Sequence, residues 1–129
     1  MNSVEATRRA KILVAEDEEL VLALFKAILG KAGHDVVCAA NGADAASHFE
    51  NGPNTFDLLI TDLSLPGMTG ETLAARARQA DPNIKVIFST GSITNAPHEA
   101  IANCKGAIFL PKPFGFEELV TVVNKALQS

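Results

Sequence analysis

The chain has no apolar run approaching the length of a membrane span. Residues 1–30 also lack a charged start followed by an uninterrupted apolar core, so neither an anchor nor a secretory signal is read, and a cytoplasmic protein is expected. Basic residues are scarce. The only basic run is Arg8, Arg9 and Lys11, and the formal net charge is −4, which leaves no clustered lysine and arginine of the kind a nucleic-acid footprint needs. Cysteine is nearly absent. Cys38 and Cys104 show no motif spacing, and in a reducing compartment they read as small apolar fillers rather than a disulfide or metal pair. Repeats, low-complexity tracts and interdomain linkers are missing too.

What remains is a single globular domain. With 129 residues, 47 % of them apolar and 20 % charged, the chain is long enough to bury one continuous core and too apolar to stay disordered. Residues 1–10 read as a flexible polar leader and residues 11–129 as the domain.

Residues 11–15 form an apolar stretch that runs straight into Glu16, Asp17, Glu18 and Glu19. Residues 56–60 form another, which delivers Asp62 at its carboxyl end. Between them, Val21, Leu24, Phe25, Ile28 and Leu29 recur at helical spacing before Gly33, which predicts a helix over 18–32. Residues 35–40 read as a strand. Asn41, with Asp44 three residues on, caps a short helix that Asn51, Gly52, Pro53 and Asn54 end as a turn. After Asp62, residues 63–68 are expected to be a loop, and Thr69 to cap a helix burying Leu73, Ala74 and Ala77 until Asp81 and Pro82. A fourth strand covers 85–89, a short helix runs from near Pro97 to before Gly106, and a fifth strand covers 107–110. Phe116, Leu119, Val120, Val123 and Leu127 mark the last helix, with Gly115 near its start and Glu117 and Glu118 in its first turn. Five strands alternating with five helices indicate a doubly wound α/β fold, with parallel pairing, right-handed crossovers and helices on both faces.

In such sheets ligands bind at the carboxyl ends of the strands, near the point where strand order reverses. Glu16 and Asp17 follow the first strand, Asp62 the third, Thr90 the fourth and Lys112 the fifth. Clustered carboxylates repel one another unless a cation joins them, and magnesium suits a site of carboxylates, a carbonyl and waters. A lysine and a threonine hydroxyl beside those acids supply a point charge and a donor for phosphoryl oxygens. Asp62 itself can serve as a nucleophile, since carboxylates form acyl phosphates. Taken singly, each of these residues reads more simply: Asp62 as a turn or cap acid, Thr90 as a loop hydroxyl, Lys112 as a solvated lysine, Glu18 and Glu19 as a favourable helix start. Their joint placement at successive strand ends carries the functional reading.

The segments AEDEE, LLITDLSLPGMTG, VIFSTG and FLPKPF together resemble the receiver domain of two-component response regulators, the CheY-like superfamily, over residues 11–127. The resemblance implies a (βα)5 flavodoxin-like three-layer sandwich with strand order 2-1-3-4-5. It implies phosphorylation at Asp62, with Asp17 and the Ser64 backbone carbonyl as direct Mg2+ ligands beside Asp62, and Glu16 acting through water. Thr90 and Lys112 would contact the phosphoryl group, Phe109 would be the rotating aromatic, and the Lys112–Pro113 bond would be cis. Glu16 stands where many members have aspartate, Phe109 lacks the hydroxyl of a tyrosine switch, and Gly91 follows Thr90 where alanine is frequent.

The function so implied is a phosphoacceptor module of a two-component system or phosphorelay. A histidine kinase or histidine phosphotransfer protein would be the donor and a downstream protein the target. No nucleic acid or membrane is expected as a partner, and the chain would be a monomer or weak homodimer. No output domain follows residue 129, so the expected context is a stand-alone receiver or one cut from a hybrid kinase. Two alternatives stay open. One is a magnesium-dependent phosphatase or phosphotransferase of the haloacid-dehalogenase type, although Ser64 holds the position where that family needs a second aspartate. The other is a receiver-like interaction module that is not phosphorylated. Phe109 also reads as plain core, and His34, His48 and His98 as ordinary surface or partly packed residues.

Overall fold

The computed structural model describes residues 8–50, 55–91 and 96–129. Residues 1–7 of the leader, the turn expected at 51–54 and the side chain of His98 lie outside the described residues. The elements are β1 (Lys11–Ala15), α1 (Glu19–Lys31), β2 (Asp35–Ala39), α2 (Gly42–Glu50), β3 (Leu58–Thr61), β4 (Ser64–Leu65), β5 (Met68–Thr69), α3 (Gly70–Ala80), β6 (Lys85–Thr90), α4 (Ala96–Ala102), β7 (Ile108–Pro111) and α5 (Phe116–Gln128). The main sheet is parallel throughout, in the order β2-β1-β3-β6-β7. This is the flavodoxin-like order expected, renumbered by the small β4–β5 pair.

Strand side chains alternate between two faces, and each face has its own core. Leu13, Ala15, Leu59, Val86 and Phe88 pack with α2, α3 and α4, while Ile12, Val14, Leu58, Ile60 and Ile87 pack with α1 and α5. Burial on both sides explains why these strands read as continuous apolar runs rather than alternating ones. Each fully buried Leu, Ile or Phe contributes about 1.5–3 kcal/mol relative to exposure. That reserve lets the strand ends hold like charges together without unfolding.

Several local expectations are refined. Residues 63–68 are not a plain loop: Pro66 and Gly67 reverse the chain, Gly67 at φ 78°, and the flanks pair as Ser64 with Thr69 and Leu65 with Met68. A proline followed by a glycine of positive φ is the requirement of a type II turn. Thr69 caps α3 as expected, its hydroxyl accepting from the Thr72 N–H at 3.1 Å. Asn41 Oδ1 likewise accepts from the Asp44 N–H at 2.8 Å. In α1, Phe25, Ile28 and Leu29 are buried but Leu24 is 45 % exposed, so the inward stripe is narrower than the spacing suggested. His34 is buried, and its Nδ1 accepts from the Ala10 N–H at 3.1 Å. Ala10 is therefore already pinned to the sheet, and Arg8 pairs with Asp57 at 3.7 Å.

Candidate functional site

Strand order reverses between β1 and β3, because the chain leaves β1 toward β2 on one side and returns to β3 on the other. The register then brings the acids together. Ala15 lies opposite Thr61 and Thr90 opposite Pro111, so the residues that follow, Glu16 with Asp62 and Gly91 with Lys112, emerge side by side. The hydrogen-bond ladder continues one step past each strand. Glu16 N–H donates to Ala39 O at 3.0 Å, Asp62 N–H to Ala15 O at 3.1 Å and Lys112 N–H to Thr90 O at 3.1 Å. Three functional side chains thus start from fixed backbone.

Carboxylate oxygens of Glu16, Asp17 and Asp62 lie within 4.8 Å of one another, with Glu16 buried, Asp62 half-buried and Asp17 exposed. Lys112 reaches into this cluster. Its ammonium donates to Asp62 Oδ2 at 2.8 Å and to Glu16 Oε1, with side-chain exposures of 13 % for Lys112, 12 % for Asp62 and 1 % for Glu16. Desolvation pulls the Lys112 ammonium toward neutrality, but its bonds to Asp62 and Glu16 outweigh that and hold its pKa above the usual lysine value. Burial pushes the Glu16 carboxyl up, and its bonds from Lys112 and from the Glu18 N–H, the latter 2.9 Å, offset only part of the rise. The two upward displacements have different causes: at Glu16 desolvation outweighs the pairing with Lys112, whereas at Lys112 the pairing with two carboxylates outweighs desolvation.

The sequence-predicted residues meet here with one exception. Ser64 N–H donates to Asp62 Oδ1 at 3.2 Å. Thr90 is 6 % exposed, and with Asp17, Asp62, Ser64 and Lys112 it lines a cavity of about 640 Å³. The peptide bond between Lys112 and Pro113 is cis. Phe109 lies apart, half-buried opposite Phe88 on the α2–α3–α4 face, packed against that core.

Sequence reasoning missed three contributors. The first is the apolar part of the cavity lining, to which Val21, Leu24 and Phe114 contribute beside Pro113; helical spacing marks Val21 and Leu24 as apolar positions of α1 without placing them at the strand ends. The second is the contact of Lys112 with Glu16, which no spacing rule reveals. The third is Gly70, the first residue of α3, whose N–H donates to Leu63 O at 2.8 Å. A Cβ on Gly70 would stand 2.1 Å from the Asp62 carbonyl oxygen. The TG dipeptide after PGM was the available signal, since glycine marks a close backbone approach.

The donor set fits a hard divalent cation. All three side chains offer carboxylate oxygen, and among the described residues one ammonium, that of Lys112, pairs with them, which leaves the three acids undercompensated.

Comparison with known proteins agrees with this geometry. The response regulator receiver domain family matches residues 12–124. The response regulator receiver protein CpdR of Brucella abortus is 37 % identical over 117 residues, covering 91 % of this chain and 96 % of that protein. The sensor kinase CckA of the same organism is 33 % identical over 119 residues, or 92 % of this chain, but this chain spans only 13 % of the kinase. Among solved structures, a response regulator receiver protein from Sinorhizobium medicae superimposes with a TM-score of 0.86 at 28 % identity, covering 96 % of this chain and 98 % of that one. The chain belongs to the response regulator receiver domain family, the phosphoacceptor signalling modules of two-component systems.

Proposed function

We propose that Asp62 is the phosphoacceptor of this receiver and that a histidine kinase or histidine phosphotransfer protein is its donor. An Asp62 carboxylate oxygen attacks the phosphorus, the phosphorus–nitrogen bond to the donor imidazole breaks, and an acyl phosphate forms. The observation that carries this reading is the Lys112 ammonium at 2.8 Å from Asp62 Oδ2, a cation placed where phosphoryl oxygens would arrive. Thr90, on the wall of the same cavity, offers its hydroxyl to another of those oxygens.

Receiver domains bind Mg2+ at an acidic pocket, and the cluster of Glu16, Asp17 and Asp62 supports the same assignment here. Asp17, Asp62 and the Ser64 carbonyl would hold the ion directly, and Glu16 through water. A bound Mg2+ supplies charge compensation between the carboxylates and the incoming phosphoryl group. Phosphorylation would draw Thr90 inward and let Phe109 turn toward the core, and a downstream protein would read the altered surface. Dephosphorylation by water would return Asp62 to its carboxylate, so the chemistry is confined to the module's own acceptor. We read residues 11–129 as the receiver unit and its location as cytoplasmic. No described helix is long and apolar enough to cross a membrane.

The test is phosphorylation by a small donor such as acetyl phosphate, with and without Mg2+. A hydroxylamine-sensitive adduct that maps to Asp62 and vanishes on chelation is expected. Labelling at another residue would overturn the assignment of Asp62, and undiminished labelling in chelator would overturn the role given to the ion.

A further inference from the structure

Away from Asp62, two neighbouring concavities of about 320 and about 300 Å³ share Arg78 of α3 and Lys105 in their linings. In the first, the accessible lining comes from Ala75, Cys104 and the alkyl stems of Arg78 and Lys105, over the fully buried Phe88, Ala74 and Ala100, and the second opens beside Lys85 at the start of β6. Arg78 is held in place: its Nε donates to Ile84 O at 3.0 Å, leaving the terminal NH2 groups for other partners. Arg78 lines the first concavity together with Cys104. Arg78, Lys85 and Lys105 make no ion pair among the described residues, in a chain of net charge −4. Among the described residues Glu71, about 10 Å along the helix from Arg78, is the one acidic side chain in either lining, and Ser129 also lines the second.

We propose that this groove docks a short segment of a partner protein in which an apolar side chain is followed by acidic residues. The apolar side chain packs on Ala75, Cys104 and the alkyl stems of Arg78 and Lys105, and the carboxylates meet the charged ends of Arg78, Lys105 and Lys85. Guanidinium and carboxylate pair through two parallel charge-assisted bonds, and a half-pinned arginine loses less freedom in making them. An adjoining apolar pocket supplies the anchor that such contacts need for affinity. A long polyanion such as a nucleic acid fits poorly, because beyond these three cations the chain is net acidic and repels it. A small free anion would satisfy the cations but leave the apolar concavity unfilled. The inference concerns the unphosphorylated chain and stands apart from the role of Asp62.

The test is a two-dimensional amide NMR titration of the isotope-labelled full chain. Its probes are two pools of capped tripeptides, an apolar residue (Leu, Ile, Phe or Met) followed by Glu-Glu or by Lys-Lys, with inorganic phosphate as a third arm. The acidic pool is expected to shift the Ala75, Arg78, Cys104 and Lys105 amides saturably, the basic pool to leave them in place, and phosphate to shift only part of the set. Arg78→Glu combined with Lys105→Glu should weaken binding by roughly tenfold or more. Lys105→Glu alone, at an exposed position, should weaken it in the same direction and guards against a folding defect at Arg78. Absence of shifts with the acidic pool, equal shifts with both pools, full reproduction by phosphate, or insensitivity to charge reversal would each overturn the proposal.

Discussion

Lys112 Nζ donates to Asp62 Oδ2 at 2.8 Å and, across the same gap, to Glu16 Oε1, so one ammonium ties together the ends of β1, β3 and β7. It is the counter-ion of the resting site. A group arriving at Asp62 must therefore compete with, or recruit, a contact that already stabilises the fold.

Replacing Lys112 with alanine leaves Glu16 buried without its cation. Breaking a well-buried pair from one side costs about 3–5 kcal/mol, and the lower end is expected here because Asp62 retains some contact with water. Urea unfolding of Lys112→Ala without divalent cation measures the loss. Magnesium should restore more stability to the variant than it adds to wild type, since ligand that binds only the folded state stabilises by mass action. Wild-type stability in the variant would contradict the bridging role.

Gly70→Ala sets a methyl 2.1 Å from the Asp62 carbonyl oxygen and 3.0 Å from Leu63 Cα, both backbone atoms that cannot swing aside. Overpacking of this kind costs about 1–3 kcal/mol. The shift falls on the backbone of Asp62, so phosphorylation from acetyl phosphate should slow as well. A stable variant with an unchanged rate would show that the contact relaxes elsewhere.

These two residues also mark what the sequence makes legible. Asp62, Thr90 and Lys112 stand out because buried parallel strands are continuous apolar runs, so the polar residue ending each run is conspicuous. The same runs give the α/β class, and parallel pairing in proper order then brings the ends together. The β4–β5 pair escaped notice because two-residue strands carry no periodicity, only the Pro66–Gly67 turn. Leu24 shares the helical spacing of Phe25, Ile28 and Leu29 yet stands 45 % exposed, because spacing gives a face but not its width. The burial of His34 depends on Ala10, 24 residues away, and a backbone donor leaves no trace in the pattern of side chains.

His34 gives a pH dependence with a definite sign. Its burial lowers the imidazole pKa from 6.5, Arg8 lowers it further, and Asp57 opposes both. The folded chain thus favours neutral His34, whose Nδ1 accepts the Ala10 N–H. The folded pKa lies below the unfolded one, so this stability is complete above pH 6.5 and is lost as pH falls through the folded value. Urea midpoints of wild type should fall more steeply over that range than those of His34→Gln, which keeps an acceptor but cannot titrate. Parallel curves would remove His34 as the cause.

Ser89 points the opposite way. Its hydroxyl is buried with no hydrogen-bond partner among the described residues, and a buried polar group left unmatched costs about 1–3 kcal/mol. Ser89→Ala should therefore be as stable as wild type or more so by thermal unfolding. A clear loss of stability would mean that the hydroxyl has a partner.

The central claim is that Asp62 receives phosphate, and intact mass spectrometry after incubation with acetyl phosphate and Mg2+ tests it most directly. Wild type should gain the mass of one acid-labile phosphoryl group, and Asp62→Asn, with its fold confirmed by circular dichroism, should gain none. Equal labelling of both proteins, or none on wild type under conditions that label another receiver domain, would contradict the account.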